Sequence, residues 1–153
     1  MSQKITPFIW FDNNCEEAMN FYVSIFKNAK ILNLSRDGNG KAFTGTIEIE
    51  GQKLHVLNGG PRFKLNESFS LMINCETQEE VDNYWNKLIS DGGEESMCGW
   101  CKDKFGLWWQ VIPKQLGEFL SSPDREKANR AMQAMFTMRK IDIAKMSAAF
   151  EGN

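Results

Sequence analysis

No run of apolar residues in this chain approaches the ~20 that a membrane-spanning helix needs, so no such helix is expected. An excess of one charge is missing too. Eighteen Lys and Arg stand against 20 Asp and Glu, a formal charge of −2. Nucleic acid and anionic membranes reward a concentrated basic surface, so neither is an expected partner. The first residues, Met1 to Pro7, lack the basic flank, apolar run and small-residue cleavage site of a secretory signal. A cytoplasmic location is the resulting expectation. Cysteines number four (Cys15, Cys75, Cys98, Cys101), and their spread is unlike a secreted disulfide scaffold, so they read as reduced thiols. Histidine occurs once, as His55.

What remains has the balance of an ordinary globular domain, with 42% apolar and 25% charged residues over 153 positions. A chain of this length buries about 70% of the surface its unfolded form exposes, so neither disulfides nor metals are required for folding.

An internal repeat organises it. Glu16-Glu17-Ala18-Met19-Asn20-Phe21-Tyr22 aligns with Glu79-Glu80-Val81-Asp82-Asn83-Tyr84-Trp85. Apolar residues fall at helical spacing in both copies: Ala18, Phe21, Tyr22, Ile25 and Val81, Tyr84, Trp85, Leu88. Each predicted helix follows a strand-like run, Ile5–Phe11 in one copy and Ser68–Cys75 in the other. Three strands should follow the first helix, at Lys30–Ser35, Ala42–Glu50 and Gln52–Leu57. Three more should follow the second, at Glu94–Cys98, Trp100–Asp103 and Leu107–Ile112. Turn chemistry separates them at Arg36-Asp37-Gly38-Asn39-Gly40, at Gly51 and at Asp91-Gly92-Gly93. Aligning Gly51 with Gly106 sets Leu54-His55-Val56-Leu57 against Trp109-Gln110-Val111-Ile112, so His55 corresponds to Gln110. The order is βαβββ twice, with unit one at 1–63, unit two at 64–112 and a helical tail at 113–153. In that tail, Gln115–Leu120 and a run capped by Ser122 with Pro123 at its first position read as helices.

Paired βαβββ units resemble the vicinal-oxygen-chelate superfamily of glyoxalase I, fosfomycin and bleomycin resistance proteins and extradiol dioxygenases. More narrowly, Trp10-Phe11-Asp12, Glu16-Glu17-Ala18, Phe21-Tyr22, Asn58-Gly59-Gly60-Pro61, Gly99-Trp100, Asp103-Lys104-Phe105-Gly106 and Lys140-Ile141-Asp142-Ile143-Ala144 resemble the PhnB-like, demethylubiquinone methyltransferase-like subfamily. The resemblance covers essentially the whole chain. It implies an α+β fold in which the two units form a glyoxalase-like curved mixed sheet, a single domain with added C-terminal helices. It also implies metal-ligand places in the first and last strand of each unit, which fall here on Pro7, His55, Ser70 and Gln110. Proline offers no side-chain donor and Ser70 is a poor neutral ligand, so neither a metal nor a cofactor is expected. The subfamily's methyltransferase label implies a cradle for S-adenosylmethionine, yet neither Gly59-Gly60 nor Gly92-Gly93 opens a Rossmann-like helix.

Strand alternation turns His55 away from Leu54 and Val56, onto the face that lines the cavity in the superfamily. Two readings of it stand: a base or ligand-orienting group, since an imidazole titrates near physiological pH, or a histidine satisfied on a sheet surface. Gln110 shares a face with Trp108 and Ile112, and an amide beside an indole is one way to orient a flat ligand. Trp109 points the other way and reads as core. Cys98-Gly99-Trp100-Cys101 has the spacing of redox and zinc motifs but falls on a hairpin, away from a helix N-terminus that would lower a thiol pKa. The four glutamates at the helix starts offset the helix dipole. Met132, Met135 and Met138 form an apolar stripe suited to packing or a homodimer contact.

Three functions follow. The first is a protein that binds a small flat or hydrophobic metabolite without metal, through His55, Ser70, Met72, Trp108 and Gln110. The second is a metal-dependent lyase, isomerase or oxygenase using His55 and Gln110. The third is a structural module whose cavity is filled by its own side chains.

Overall fold

The computed structural model describes residues 3–153, which divide into two compact units, one ending at Leu65 and the other running from Asn66 to the C-terminus. In the first unit, β1 (Phe8–Phe11) leads to helix α1 (Cys15–Ile25) and then to β2 (Ala29–Arg36), β3 (Ala42–Ile49) and β4 (Gln52–Asn58). The sheet order is β1-β4-β3-β2, with β1 parallel to β4 and the remaining pairs antiparallel. The second unit repeats this with β5 (Ser70–Cys75), α2 (Gln78–Leu88), β6 (Glu94–Glu95), β7 (Trp100–Lys102) and β8 (Trp108–Pro113), ordered β5-β8-β7-β6. Each unit is therefore βαβββ with an open mixed sheet, as the repeat implies.

Local chemistry accounts for the helices. In α1 the buried residues Cys15, Ala18, Met19, Tyr22 and Ile25 recur at three- and four-residue spacing, a single stripe for the sheet. Asn14 supplies no cap; the Asn58 side chain does so from β4, accepting from the Cys15 backbone N–H at 2.8 Å and donating to the Ala42 carbonyl at 3.0 Å. Gly45 lets α1 approach, since a Cβ there would meet the Met19 methyl at 2.8 Å. Helix α2 starts conventionally: the Thr77 hydroxyl accepts from Glu80 N–H at 3.2 Å and the Glu80 carboxylate accepts from Glu76 N–H at 2.6 Å. Its buried face is Val81, Trp85 and Leu88.

Beyond β8 come α3 (Lys114–Leu120), α4 (Arg125–Phe136) and α5 (Ile143–Glu151), all within the second unit. The cap of α4 is Asp124, whose carboxylate accepts from Lys127 N–H at 3.1 Å, and not Ser122. Ser122 instead accepts from Asp124 N–H at 3.2 Å, ordering the turn before the helix. Much of the methionine stripe is spent inside the unit: Met138 and Met146 join Leu116, Ala131 and Ile141 in a buried cluster, with Met135 packed against it. Strand β6 stops at Glu95, short of the predicted Cys98. Cys98 has a positive φ of 61°, and Cys98 and Gly99 donate instead to the Met138 and Arg139 carbonyls, each at 2.7 Å.

Candidate functional site

In the first unit the face of the sheet toward α1 is buried through Ile9, Phe11, Ile47, Ile49, Leu54 and Val56. Alternation sends Phe8, Trp10, Thr46 and His55 to the other face. The β1–β4 and β3–β4 registers place His55 between Phe8 and Thr46. Its Nδ1 lies 2.8 Å from the Thr46 hydroxyl. On the other side the Phe8 ring lies 5.6 Å away, tilted by 45°, and Phe8 is 60% exposed. Farther along, Trp10 donates from Nε1 to the Gly60 carbonyl at 2.9 Å and meets the edge of Phe63, with ring centroids 5.1 Å apart. Gly59 lies against the Trp10 ring so closely that a Cβ would overlap it.

The second unit collects Ser70, Met72, Trp108 and Gln110 on one face, because Ser70 pairs with Trp108 and Met72 with Gln110 in parallel register. Gln110 Nε2 donates to the Ser70 hydroxyl at 2.9 Å. Met72 is 54% exposed, and Lys102 Nζ sits 5.9 Å from the Trp108 ring centre. Trp109 and Val111 point the other way and are buried. Trp109 Nε1 donates to Asp103 Oδ2 at 2.9 Å, while Asp103 Oδ1 accepts from Phe105 and Leu107 N–H at 2.9 and 3.1 Å.

These registers alter the inherited metal places. The first-strand residue paired with His55 is Phe8, not Pro7; Met72 is paired with Gln110, whose amide still reaches Ser70 on the same face. The loop from β1 to α1 has three residues (12–14) and that from β5 to α2 two (76–77), so the strand equivalence of the units, Phe8 with Met72, is offset by one residue from the helix equivalence, Glu16 with Glu79. A divalent cation does not fit these residues. Beside His55 stands a phenyl ring, beside Gln110 a thioether, and His55 Nδ1 is engaged by Thr46. Among the described residues no three His, Cys, Asp or Glu side chains form a metal-binding group.

A concavity of about 330 Å³ lies at the end of the first unit where Asp12, Glu16, Glu17, Arg36, Asp37 and Lys41 gather. One ion pair and one turn carboxylate organise it. Arg36 meets Glu16 in two bonds of 2.6 and 3.1 Å, which hold the Glu16 carboxyl below its ordinary range, and Asp37 accepts from the N–H groups of Asn39 and Lys41. Three of the cysteines are held as thiols: burial pushes Cys75 and Cys101 up to about 12 and raises Cys15 as well. Cys98 lies on a turn and Cys101 on β7, with no helix start beneath either.

Neither Thr46 nor Phe8 stands out in the sequence, and Asp103 does so only within the Asp103-Lys104-Phe105-Gly106 motif. A signal for Thr46 was present, since a two-residue turn at Glu50-Gly51 fixes the hairpin so that residue 46 faces residue 55.

The chain matches the model of the family described as 3-demethylubiquinone-9 3-methyltransferase over residues 3–112. It is similar to the PhnB protein of Bacillus cereus, which bears that same name, with 33% identity, a TM-score of 0.68, and coverage of 72% of this chain and 99% of that one. Protein PA1353 from Pseudomonas aeruginosa shares 19% identity at a TM-score of 0.60, covering 73% and 98%. FosX, a fosfomycin resistance protein of Listeria monocytogenes solved with Mn(II) and sulfate, shares 18% at 0.59, covering 79% and 99%. The last two show the common fold. No curated protein matches the chain.

Proposed function

The chain belongs to the 3-demethylubiquinone-9 3-methyltransferase family, a PhnB-like branch with the vicinal-oxygen-chelate fold, and from that premise we propose that it binds a small, flat, largely apolar metabolite without a metal ion. The observation that carries this reading is an exposed apolar side chain beside a polar group held in one orientation, once in each unit. In the first it is Phe8 with His55, tied to Thr46. In the second it is Met72 with Gln110, tied to Ser70, and Trp108 adds an indole on the same face. Apolar area supplies contact and the oriented polar group supplies direction. Ligand contact is therefore assigned to His55, Ser70, Met72, Trp108 and Gln110.

Methyl transfer from S-adenosylmethionine, which the family's name describes, finds no support in these residues. Gly59-Gly60 leads into the loop after β4 and Gly92-Gly93 into β6, so neither opens a helix that would cradle that cofactor. The alternative is a metal-dependent lyase, isomerase or oxygenase. FosX was solved with Mn(II), but at 18% identity it lends this chain only its fold.

Native mass spectrometry of freshly purified, untagged protein decides between them, with elemental analysis alongside. An organic molecule lost on denaturation, and no equivalent of zinc, nickel or manganese, is the expected result. One equivalent of metal that disappears in His55→Ala overturns the reading and promotes the enzyme. The same spectrum reads the subunit number. We expect a cytoplasmic homodimer, supported by the exposed Phe136 at the end of α4, and a monomer at tens of micromolar, a rough working range for specific dimers, would rule the dimer out.

A further inference from the structure

Thr46 is 6% exposed, and among the described residues its hydroxyl has one hydrogen-bond partner, His55 Nδ1 at 2.8 Å. A hydroxyl carries one proton, and a closed-off donor is costly to leave unpaired. A neutral imidazole has one protonated and one bare nitrogen, and the network around it decides which is which. If Nδ1 carried the proton, Thr46 would accept it and its own O–H would point at nothing that can receive it. The satisfied arrangement is Thr46 O–H donating to a bare Nδ1, which leaves the proton on Nε2.

The backbone fixes this pair. Thr46 and His55 are cross-strand partners in the β3–β4 hairpin, whose two-residue turn has φ of 47° at Glu50 and 83° at Gly51, the positive values of a type I′ turn. The β-branched threonine is stiff at χ1, so its hydroxyl is aimed as well as placed. At the other end of the ring, Nε2 has no hydrogen-bond partner among the described residues, and the exposed Phe8 ring stands alongside.

We propose that Thr46 is a positioning residue that locks His55 as the Nε2–H tautomer, so that this position recognises a hydrogen-bond acceptor on the ligand, a carbonyl or carboxylate oxygen. The acceptor assignment rests on the ligand-binding reading above; the tautomer does not. A locked Nε2–H has no lone pair to offer a metal or a substrate proton, so His55 works as a donor and not as a base. Protonation of the ring leaves Nε2 a donor and adds charge, which favours a carboxylate further.

The chain's single histidine makes the test direct. Long-range proton–nitrogen correlation spectra of the ligand-free protein, near pH 8.5 and so about two units above the ordinary imidazole value, should show a protonated-type Nε2 and a bare-type Nδ1, well separated. Thr46→Ser should keep that separation, and Thr46→Val should draw the two nitrogen signals toward each other. A proton on Nδ1 in the wild type, or a Thr46→Val spectrum identical to it, overturns the lock. Benzoate and benzylamine then probe the ligand class on the wild-type protein. Movement of the His55 signals with benzoate and none with benzylamine supports the acceptor; the reverse overturns it. Movement with neither overturns the ligand-binding reading at His55 and leaves the tautomer result standing.

Discussion

Replacing Asp103 by alanine strips the β7–β8 hairpin of the carboxylate around which it closes. Asp103 is 1% exposed and accepts from Leu107 N–H, from Trp109 Nε1 and from Phe105 N–H. The first two bonds are buried, so water does not reach the donors left behind, whereas Phe105 N–H lies in a partly buried position. An orphaned buried donor costs about 1–3 kcal/mol, so two of them give about 2–6 kcal/mol. In a chain of this size each kcal/mol moves the melting midpoint by about 2–4 °C, and a fall of roughly 5–20 °C is expected. Asp103→Asn is milder, because its oxygen still serves the backbone while its amide meets the Trp109 N–H donor to donor, which orphans one group at about 1–3 kcal/mol. Trp109→Phe removes that second donor. The Asp103→Asn and Trp109→Phe double variant should therefore cost less than the sum of the singles. Urea unfolding followed by tryptophan fluorescence measures all four proteins. A loss below about 1 kcal/mol in Asp103→Ala, against the range above, or strict additivity in the cycle, would refute the account. The outcome bears on the site, because this hairpin sets the register that turns Trp108 and Gln110 to the open face.

Three further outcomes follow from the same geometry. Gly59→Ala should destabilise the first unit by about 1–3 kcal/mol, the cost of overpacking, read by thermal denaturation, because the new methyl meets the Trp10 ring. Under native conditions near pH 8 a thiol reagent should label one cysteine quickly, Cys98, since Cys15, Cys75 and Cys101 are buried and their thiols are held protonated. Three or four rapid equivalents would contradict this. Glu95 accepts from Trp85 Nε1 at 3.0 Å, which together with Arg139 holds its carboxyl below the ordinary 4.5. A lowered folded-state value stabilises above 4.5, and that stability drains away as pH falls below 4.5 through it. Glu95→Gln should flatten this part of the acid-unfolding curve, and an unchanged curve would assign the acid sensitivity elsewhere.

The sequence alone determined the order of elements in the two βαβββ units and the face on which His55 stands, but not the third tail helix, α5. Helical period and strand alternation are local properties of the chain, and the match of Glu16-Glu17 to Glu79-Glu80 announced the repeat before any contact was known. The glycine at position 51 carried the turn that pairs Thr46 with His55, though reading it required following the hairpin count outward. The tertiary structure decided which residues meet. Register between non-adjacent strands is set by long-range hydrogen bonds, and a one-residue slip exchanges the two faces of a strand. The β1–β4 register therefore pairs Phe8 with His55, while Pro7 meets it through its backbone carbonyl, which accepts from His55 N–H at 2.9 Å. The same holds for Asn58, which caps α1 from 43 residues downstream, and for Met135 of α4, which packs against a cluster that includes Leu116 of α3 and Met146 of α5. Such contacts belong to the folded backbone and to no pattern along the chain.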